Sequence, residues 1–204
     1  MRKKIYPDPA ALEEFKRMNK ISINNNPSNW NNTNLNALRI SSLNCRSLRS
    51  KIQDIRKDFE LFRSDIICLS ETWLNPGEQL TDLQLDGYSL HVNSVGSGRG
   101  LATYYKDTKF DQEIDFTEND CQVSKFTSEN IDVVSIYRSS DSKIRFEEVF
   151  KNIILSKEKP TLIVGDMNVC YQEERKNRIV QYLIANKFKQ FVSGSTHFQG
   201  RHID

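Results

Sequence analysis

The sequence predicts a four-layer α/β sandwich, in which two packed mixed sheets are flanked by helices. Helix and strand periodicities alternate from residue 38 onward, and the strand candidates are numerous enough for two sheets. The chain of 204 residues is long enough for one domain with a sizeable core. Residues 24–34 are polar and Asn-rich instead. We therefore predict an N-terminal extension and linker over 1–37, followed by one domain over 38–204.

The first predicted unit of this domain is a strand, a helix and a second strand. Residues 38–43 alternate as a strand does, and residues 65–70 form an apolar run. Between them, apolar residues recur at steps of three and four, which indicates an amphipathic helix. These residues are Leu48, Ile52, Ile55, Phe59 and Phe62. The unit predicts a crossover between neighbouring strands of a mixed sheet.

The remaining elements follow in order along the chain. Four short strand candidates lie at 88–92, 101–106, 121–127 and 131–137, and a glycine-rich turn over 96–100 separates the first two. The last part of the chain predicts a helix, a strand, a helix and a strand, at 145–156, 161–164, 173–186 and 188–192. Within the N-terminal extension, residues 9–18 predict one more short helix.

Composition excludes some classes of protein. The net charge of +2 says little about partners, and no run of about 18 apolar residues is available to span a membrane. The N-terminus is basic but lacks the apolar stretch of a signal peptide. Four scattered cysteines without a CxxC pair favour reduced thiols. The sequence thus predicts a nuclear or cytoplasmic protein that is neither secreted nor membrane-bound.

The most informative motif is Gly165-Asp166-Met167-Asn168, which follows the apolar strand at 161–164. Asp166 and Asn168 are two residues apart, so in an extended segment both side chains point to the same side. A carboxylate beside an amide suits a phosphate-ester site with a divalent metal, since the carboxylate can orient water or bind the metal. The alternative is an ordinary turn, where Asp and Asn are common.

Other predicted strands also end in polar residues. They are Asn44, Glu71, Tyr137 with Arg138, and Asp204 at the chain terminus. Together with Asp166 and Asn168, they predict a functional site along one rim of the sandwich. Each has a plainer alternative: Glu71 could cap a turn, Asn44 could cap the following helix, and Tyr137 could be a strand-end aromatic.

Three arginines are candidates for nucleic-acid contact. Arg46 and Arg49 follow Asn44 closely enough to reach a nucleic-acid backbone, and Arg138 could bind phosphate. Each of them could equally be a solvated surface charge.

Five segments carry a resemblance to a known family. In order, they are Leu43-Asn44-Cys45-Arg46-Ser47-Leu48, Ser70-Glu71-Thr72-Trp73-Leu74, Ile136-Tyr137-Arg138, Gly165-Asp166-Met167-Asn168 and Gly200-Arg201-His202-Ile203-Asp204. The chain resembles the endonuclease/exonuclease/phosphatase superfamily, and within it the apurinic-endonuclease-like domains of retrotransposons and related mobile elements. The resemblance implies a metal-dependent DNA endonuclease, next to which a mobile-element protein would place a helicase or reverse transcriptase.

The resemblance also implies roles at the site. Glu71 would be the main ligand of Mg²⁺ or Mn²⁺, and Asn44 would support that ion or the phosphate. Asp166 would orient and deprotonate the attacking water, and Asn168 would hold a phosphate oxygen. Tyr137 would approach the scissile phosphate or leaving group. Asp204 would orient a catalytic histidine or assist at the metal.

One departure from the family pattern leaves alternatives open. The pattern normally continues after the Asp204 position to a Ser-Asp-His segment, and His91, His197 and His202 stand in no Asp-His motif. This predicts a C-terminally truncated chain whose last strands are missing, with an exposed sheet edge. The alternatives to an active endonuclease are an inactive remnant that at most binds nucleic acid, and a phosphatase of small phosphate esters.

Overall fold

The structure is a computed structural model that describes residues 38–59, 61–96, 98–118, 120–151, 159–169 and 177–191. These residues fall into two compact units. One unit is 39–167, and the other holds residue 38 with the described residues after 167. The predicted helix at 9–18 and the candidate Asp204 lie outside the described residues.

The first sheet of the larger unit contains four strands in the order β1-β2-β4-β3. They are β1 (Ile40–Asn44), β2 (Ile66–Ser70), β3 (Ser89–Asn93) and β4 (Leu101–Tyr105). β1 and β2 are parallel and are joined by helix α1 (Leu48–Lys57), whereas β4 is antiparallel to both of its neighbours. The predicted strand–helix–strand crossover is therefore confirmed.

Helix α1 covers one face of this sheet. Its Leu48, Ile52 and Ile55 are buried in a cluster with alternate residues of β2 and β4, as one apolar stripe of a helix requires. The helix is shorter than its apolar period suggests. It ends at Lys57, a 3₁₀ turn follows at Leu61–Arg63, and Phe59 is 71% exposed, so the prediction that Phe59 faces the core is wrong.

The second sheet has the order β5-β6-β7-β8. Its strands are β5 (Asp111–Glu118), β6 (Cys121–Thr127), β7 (Asp132–Arg138) and β8 (Thr161–Asp166). β5, β6 and β7 form an antiparallel meander, and β7 and β8 are parallel. β5 is absent from the predicted elements because it carries only two strongly apolar residues, Ile114 and Phe116, among charged and polar ones.

The two sheets pack face to face. The rings of Tyr105 on β4 and Phe126 on β6 lie 5.1 Å apart between their centroids. Asn93 at the end of β3 donates from Nδ2 to the carbonyls of Phe116 and Val123, each at 3.2 Å. The predicted α/β sandwich of two mixed sheets is thereby confirmed.

Two further helices are described. In the larger unit, α2 (Phe146–Val149) buries Phe146 and Val149, and much of the longer helix predicted to residue 156 lies outside the described residues. In the smaller unit, α3 (Arg178–Ala185) begins at an N-cap, Asn177, whose Oδ1 accepts from the Ile179 N–H at 2.9 Å. No helix in the described part of the chain combines the length and the apolarity needed to cross a membrane.

The strand predicted at 188–192 is not found in its described part. Residues 188–191 form no strand. Instead, Lys187 takes a φ of 65° and the Phe188 N–H donates to the Leu183 carbonyl at 3.0 Å, which closes the C-terminus of α3. The apolar residues that suggested a strand thus serve a helix terminus.

Candidate active site

The candidate residues stand at carboxyl ends of strands because each sheet contains one parallel pair. Asn44 ends β1, and Glu71 directly follows β2, its parallel neighbour. In the second sheet, Tyr137 of β7 is paired in register with Asp166, the last residue of β8. Parallel strands end at the same edge of a sheet, so each pair of polar residues lies together.

Asn44 joins the polar residues of the two sheets. Its Nδ2 atom donates to Glu71 Oε1 at 2.8 Å and to Asp166 Oδ2 at 3.0 Å. The Asp166 side chain is buried, with 3% of the residue exposed. Asn44 does not cap α1, because Ser47 occupies the N-cap position. The structure therefore brings together three of the predicted site residues through a single side-chain amide.

The other end of the same amide fits a cation. Asn44 Oδ1 is buried and has no hydrogen-bond partner among the described residues. An amide oxygen beside the carboxylates of Glu71 and Asp166 is a donor set of the kind that Mg²⁺ and Mn²⁺ prefer. In the described part of the chain, no three His, Cys, Asp or Glu side chains form a metal-binding group.

The backbone that carries Glu71 is held in an uncommon conformation. Glu71 has a φ of 53° and Trp73 a φ of 59°, in the left-handed region that non-glycine residues rarely adopt. Hydrogen bonds restrain this segment on both sides. The Ser47 N–H donates to the Glu71 carbonyl at 2.8 Å, and the Trp73 N–H donates to the Arg99 carbonyl at 2.8 Å. Backbone strain of this kind persists only where the surroundings impose it and is concentrated at functional sites.

Tyr137 stands beside the two carboxylates as a neutral phenol. Burial, together with the negative charges of Glu71 and Asp166, raises the pKa of Tyr137 to about 12. Its hydroxyl donates to the Gly98 carbonyl at 3.4 Å. The phenol is therefore protonated at neutral pH and can donate a hydrogen bond.

Gly165 allows Asp166 to end β8 at this place. It has a φ of 125°, and a Cβ atom at this position would lie 2.0 Å from the carbonyl oxygen of Ile136 in the neighbouring strand. Only glycine permits this approach of the two backbones. The residue before Asp166 is thus part of the geometry of the site.

The three predicted nucleic-acid arginines differ in their surroundings. Arg49 forms an ion pair with Asp82 and donates to the Gln79 carbonyl at 2.8 Å. The Arg138 guanidinium donates to the Ser142 carbonyl at 2.7 Å and to the Met167 carbonyl at 3.4 Å. Arg46 is exposed, two residues after Asn44. Arg46 is therefore exposed beside the site, while Arg49 and Arg138 bind groups within the chain.

Two predicted site residues are not located relative to this cluster. Asn168 is half-buried with a φ of 50° and belongs to the smaller unit, and Asp204 lies outside the described residues. Arg99 is a site neighbour that sequence reasoning did not single out. Its positive charge lowers the pKa of Tyr137, partly offsetting the larger effects of burial and the carboxylates. The sequence feature that could have pointed to Arg99 is its place within the glycine-rich turn at 96–100.

Comparison with known proteins finds relatives that are named as nucleases and a phosphatase. It is 27% identical over 156 residues to an exodeoxyribonuclease of Bacillus subtilis, covering 67% of this chain and 60% of that protein. The chain therefore spans about 60% of the length of this curated relative.

Two solved structures share the fold. An AP endonuclease from Archaeoglobus fulgidus is 20% identical, with a TM-score of 0.52, and the match covers 67% of this chain and 59% of that one. The 3′ phosphatase NExo from Neisseria, bound to a product DNA hairpin, is 17% identical with the same TM-score of 0.52, over 74% of this chain and 70% of that one. The family model of the Endonuclease/Exonuclease/phosphatase family matches residues 41–204. This range contains all the described strands except Ile40, the first residue of β1. The chain thus belongs to the Endonuclease/Exonuclease/phosphatase family.

Proposed function

We propose that this protein hydrolyses phosphodiester bonds of DNA with a divalent cation, Mg²⁺ or Mn²⁺, and that it is an endonuclease of the mobile-element type. The observation that carries the proposal is the Asn44 amide, whose nitrogen donates to Glu71 and Asp166 while its oxygen is buried without a partner in the described residues. Such a group supports two carboxylates and still offers a ligand to a cation.

Each side chain has a role that its surroundings support. Glu71 and Asn44 Oδ1 would hold the cation, which when bound neutralises charge on the phosphate. Asp166 would take the proton from the attacking water, since it is a buried carboxylate already oriented by Asn44. Tyr137 would donate its phenolic proton in a hydrogen bond to an oxygen of the reacting phosphate. Asn168 would hold a phosphate oxygen, and Asp204 would orient a catalytic histidine or assist at the metal.

The nucleic-acid substrate is supported by the relatives. One is named an exodeoxyribonuclease, and one structural relative was solved with a DNA hairpin. The mobile-element type is supported by the motifs at 43–48 and 70–74. Such a protein would work together with a helicase or reverse transcriptase of the same element. Of the predicted phosphate contacts, Arg46 is exposed, while Arg49 and Arg138 would have to exchange partners.

The test is nicking of supercoiled plasmid DNA by the full chain, with Mg²⁺ or with a chelator. We expect nicking only with Mg²⁺, and we expect Glu71→Ala and Asp166→Ala each to lower its rate by about 100-fold or more. Glu129→Ala is the matched control, because Glu129 is an exposed carboxylate in the β6–β7 turn. Nicking that persists with chelator, or in Asp166→Ala, would overturn the proposed mechanism.

Cation binding can be measured without turnover. A ligand that binds only the folded state at ten times its Kd stabilises it by about 1.4 kcal/mol, which for a chain of this size raises Tm by about 3–6 °C. We expect this rise with Mg²⁺ for the unmodified chain and no rise for Glu71→Gln. An equal rise in both proteins would remove Glu71 from the cation site.

The relative named a 3′ phosphatase supports a second candidate function on the same site. Release of inorganic phosphate from a 3′-phosphorylated oligonucleotide, without nicking of plasmid, would assign the chain to phosphomonoester hydrolysis. Salt-sensitive DNA binding with neither reaction would indicate a non-catalytic DNA-binding domain.

A further inference from the structure

A large aromatic side chain faces solvent two residues after Glu71. Trp73 is 45% exposed, whereas its neighbours Thr72 and Leu74 are each 1% exposed. In the described part of the chain, Trp73 makes no ring stacking or cation–π contact. Isolated exposed apolar residues are common, but a Trp is a large apolar surface to leave in water.

The backbone holds Trp73 outward at some energetic cost. Its φ of 59° lies in the left-handed region, which is costly for a bulky side chain. The hydrogen bond from its N–H to the Arg99 carbonyl and the one from the Thr72 N–H to the Gly100 carbonyl, at 3.3 Å, fix the segment to the glycine-rich turn. The indole thus lies between two buried side chains and is itself partly exposed to solvent.

An arginine lies near each side of this segment. Arg46 is exposed and precedes Ser47, whose N–H binds the Glu71 carbonyl. Arg99, whose carbonyl binds the Trp73 N–H, has a side chain that is 37% exposed and paired with Asp120. An exposed aromatic between basic residues is the arrangement that proteins use to stack a base while holding the neighbouring phosphates.

We propose that Trp73 stacks on a nucleobase of DNA bound at the Glu71–Asp166 site, and so helps to position the phosphodiester to be cut. This inference rests on the proposed function as a DNA phosphodiesterase. A base is the occupant that fits, because the indole offers an apolar face next to the carboxylates and arginines of a phosphate site. The stacking is independent of base identity, since every base has a π-face.

The first test is fluorescence, which needs no turnover. The chain contains two tryptophans, Trp30 and Trp73, so in the Trp30→Phe variant the indole emission comes from Trp73 alone. We expect a short single-stranded DNA oligonucleotide, whose bases are free to stack, to quench this emission saturably when it is added with chelator. Inorganic polyphosphate, which has the charge but no bases, should leave the emission unchanged. Equal quenching by polyphosphate would overturn stacking.

The second test is kinetic and uses graded substitutions. We expect Trp73→Ala and Trp73→Leu to raise KM for an oligonucleotide substrate by about 5- to 100-fold, the range for losing one stacked base, with little change in kcat. Trp73→Phe keeps an aromatic face and should retain most of the affinity. Phe59→Ala is the matched control, because Phe59 is an exposed aromatic beyond the far end of α1 from the site.

The outcomes separate this inference from the proposed function. Quenching by the oligonucleotide without any nicking of plasmid would support stacking and contradict the phosphodiesterase. Nicking with no quenching, and with an unchanged KM in Trp73→Ala, would overturn the role of Trp73 while the phosphodiesterase stands. A lower Tm with an unchanged KM in Trp73→Ala would also overturn it, because Trp73 would then be a packing residue of the chain.

Discussion

Single residues at this site act through the conformations that the backbone allows them. Asn44 can serve two carboxylates because it ends β1 facing the second sheet, and Ser47 replaces it at the N-cap of α1. Asp166 reaches Asn44 because Gly165 lets the backbone of β8 approach Ile136 closely. Gly165 therefore explains how Asp166 comes to lie beside Asn44.

Gly165→Ala tests this dependence. The added Cβ would lie 2.0 Å from the Ile136 carbonyl oxygen, and the backbone φ of 125° is unfavourable for alanine, so something must shift. We expect a loss of about 3 kcal/mol or more in the free energy of unfolding, measured by urea denaturation, and loss of the Mg²⁺-dependent rise in Tm. Gly77→Ala is the control, because a Cβ at Gly77, with a φ of 78°, meets no atom within 4 Å. It should cost about 1 kcal/mol, and an equal loss in both variants would contradict the clash.

Several secondary-structure elements with a regular apolar pattern form where the sequence predicts them. The strand at 121–127 is found with the same bounds, and the strand–helix–strand unit is present. β5 was not predicted because only two of its eight residues, Ile114 and Phe116, are strongly apolar, and the strand forms by pairing with β6. The sequence predicts a strand at 188–192, but Phe188 instead closes the C-terminus of α3. Its N–H donates to the Leu183 carbonyl, which satisfies the end of the helix.

A buried carboxylate fastens the starts of β1 and β2 to the end of β4. Asp65 accepts from the Arg39 N–H and from Lys106 and Lys109, at 2.9, 3.2 and 2.9 Å. Burial tends to raise the pKa of Asp65, but hydrogen bonds from Lys109, the Arg39 N–H and Lys106 outweigh it and lower the pKa below its usual value. The folded state thus favours the ionised carboxylate.

Asp65→Asn should therefore destabilise the protein in a pH-dependent way. The stability that a depressed carboxylate pKa supplies is present above the unfolded-state pKa of about 3.9 and is lost as the pH falls through the folded-state pKa. We expect a cost of about 1–3 kcal/mol at pH 7 in urea denaturation, which shrinks below about pH 4. Asp86→Asn, at an exposed turn, should cost little at either pH. A cost that does not change with pH would contradict the ionic interaction.

For the larger unit as a whole, the two sheets are joined by polar groups as well as by apolar packing. Asn93 is 8% exposed and binds the carbonyls of Phe116 and Val123, while its Oδ1 accepts from Thr117 at 2.7 Å. Asn44 with Asp166 makes a similar link at the site. Buried polar links of this kind hold two sheets in one register, because each lost partner leaves an unsatisfied group.

Asn93→Leu tests the polar link between sheets away from the site. It leaves the Thr117 hydroxyl and two carbonyls without this partner, so we expect about 1–3 kcal/mol lower stability in urea denaturation. Ser89→Ala removes a hydrogen bond to Asp107 at the exposed start of the same strand and should cost about 0.5 kcal/mol or less. Equal costs for the two variants would show that Asn93 adds nothing beyond a surface hydrogen bond.

The sequence by itself determined the class of fold, and it singled out Asn44, Glu71, Tyr137 and Asp166 as candidate site residues. Hydrophobic periodicity is a local property, and polar residues at strand ends are visible in order along the chain. Only the tertiary structure decided that one amide bridges two carboxylates from different sheets, that Arg49 and Arg138 are engaged within the chain, and that Trp73 faces solvent. These depend on strand order, register and φ angles set by contacts between residues far apart in sequence, which no local pattern encodes.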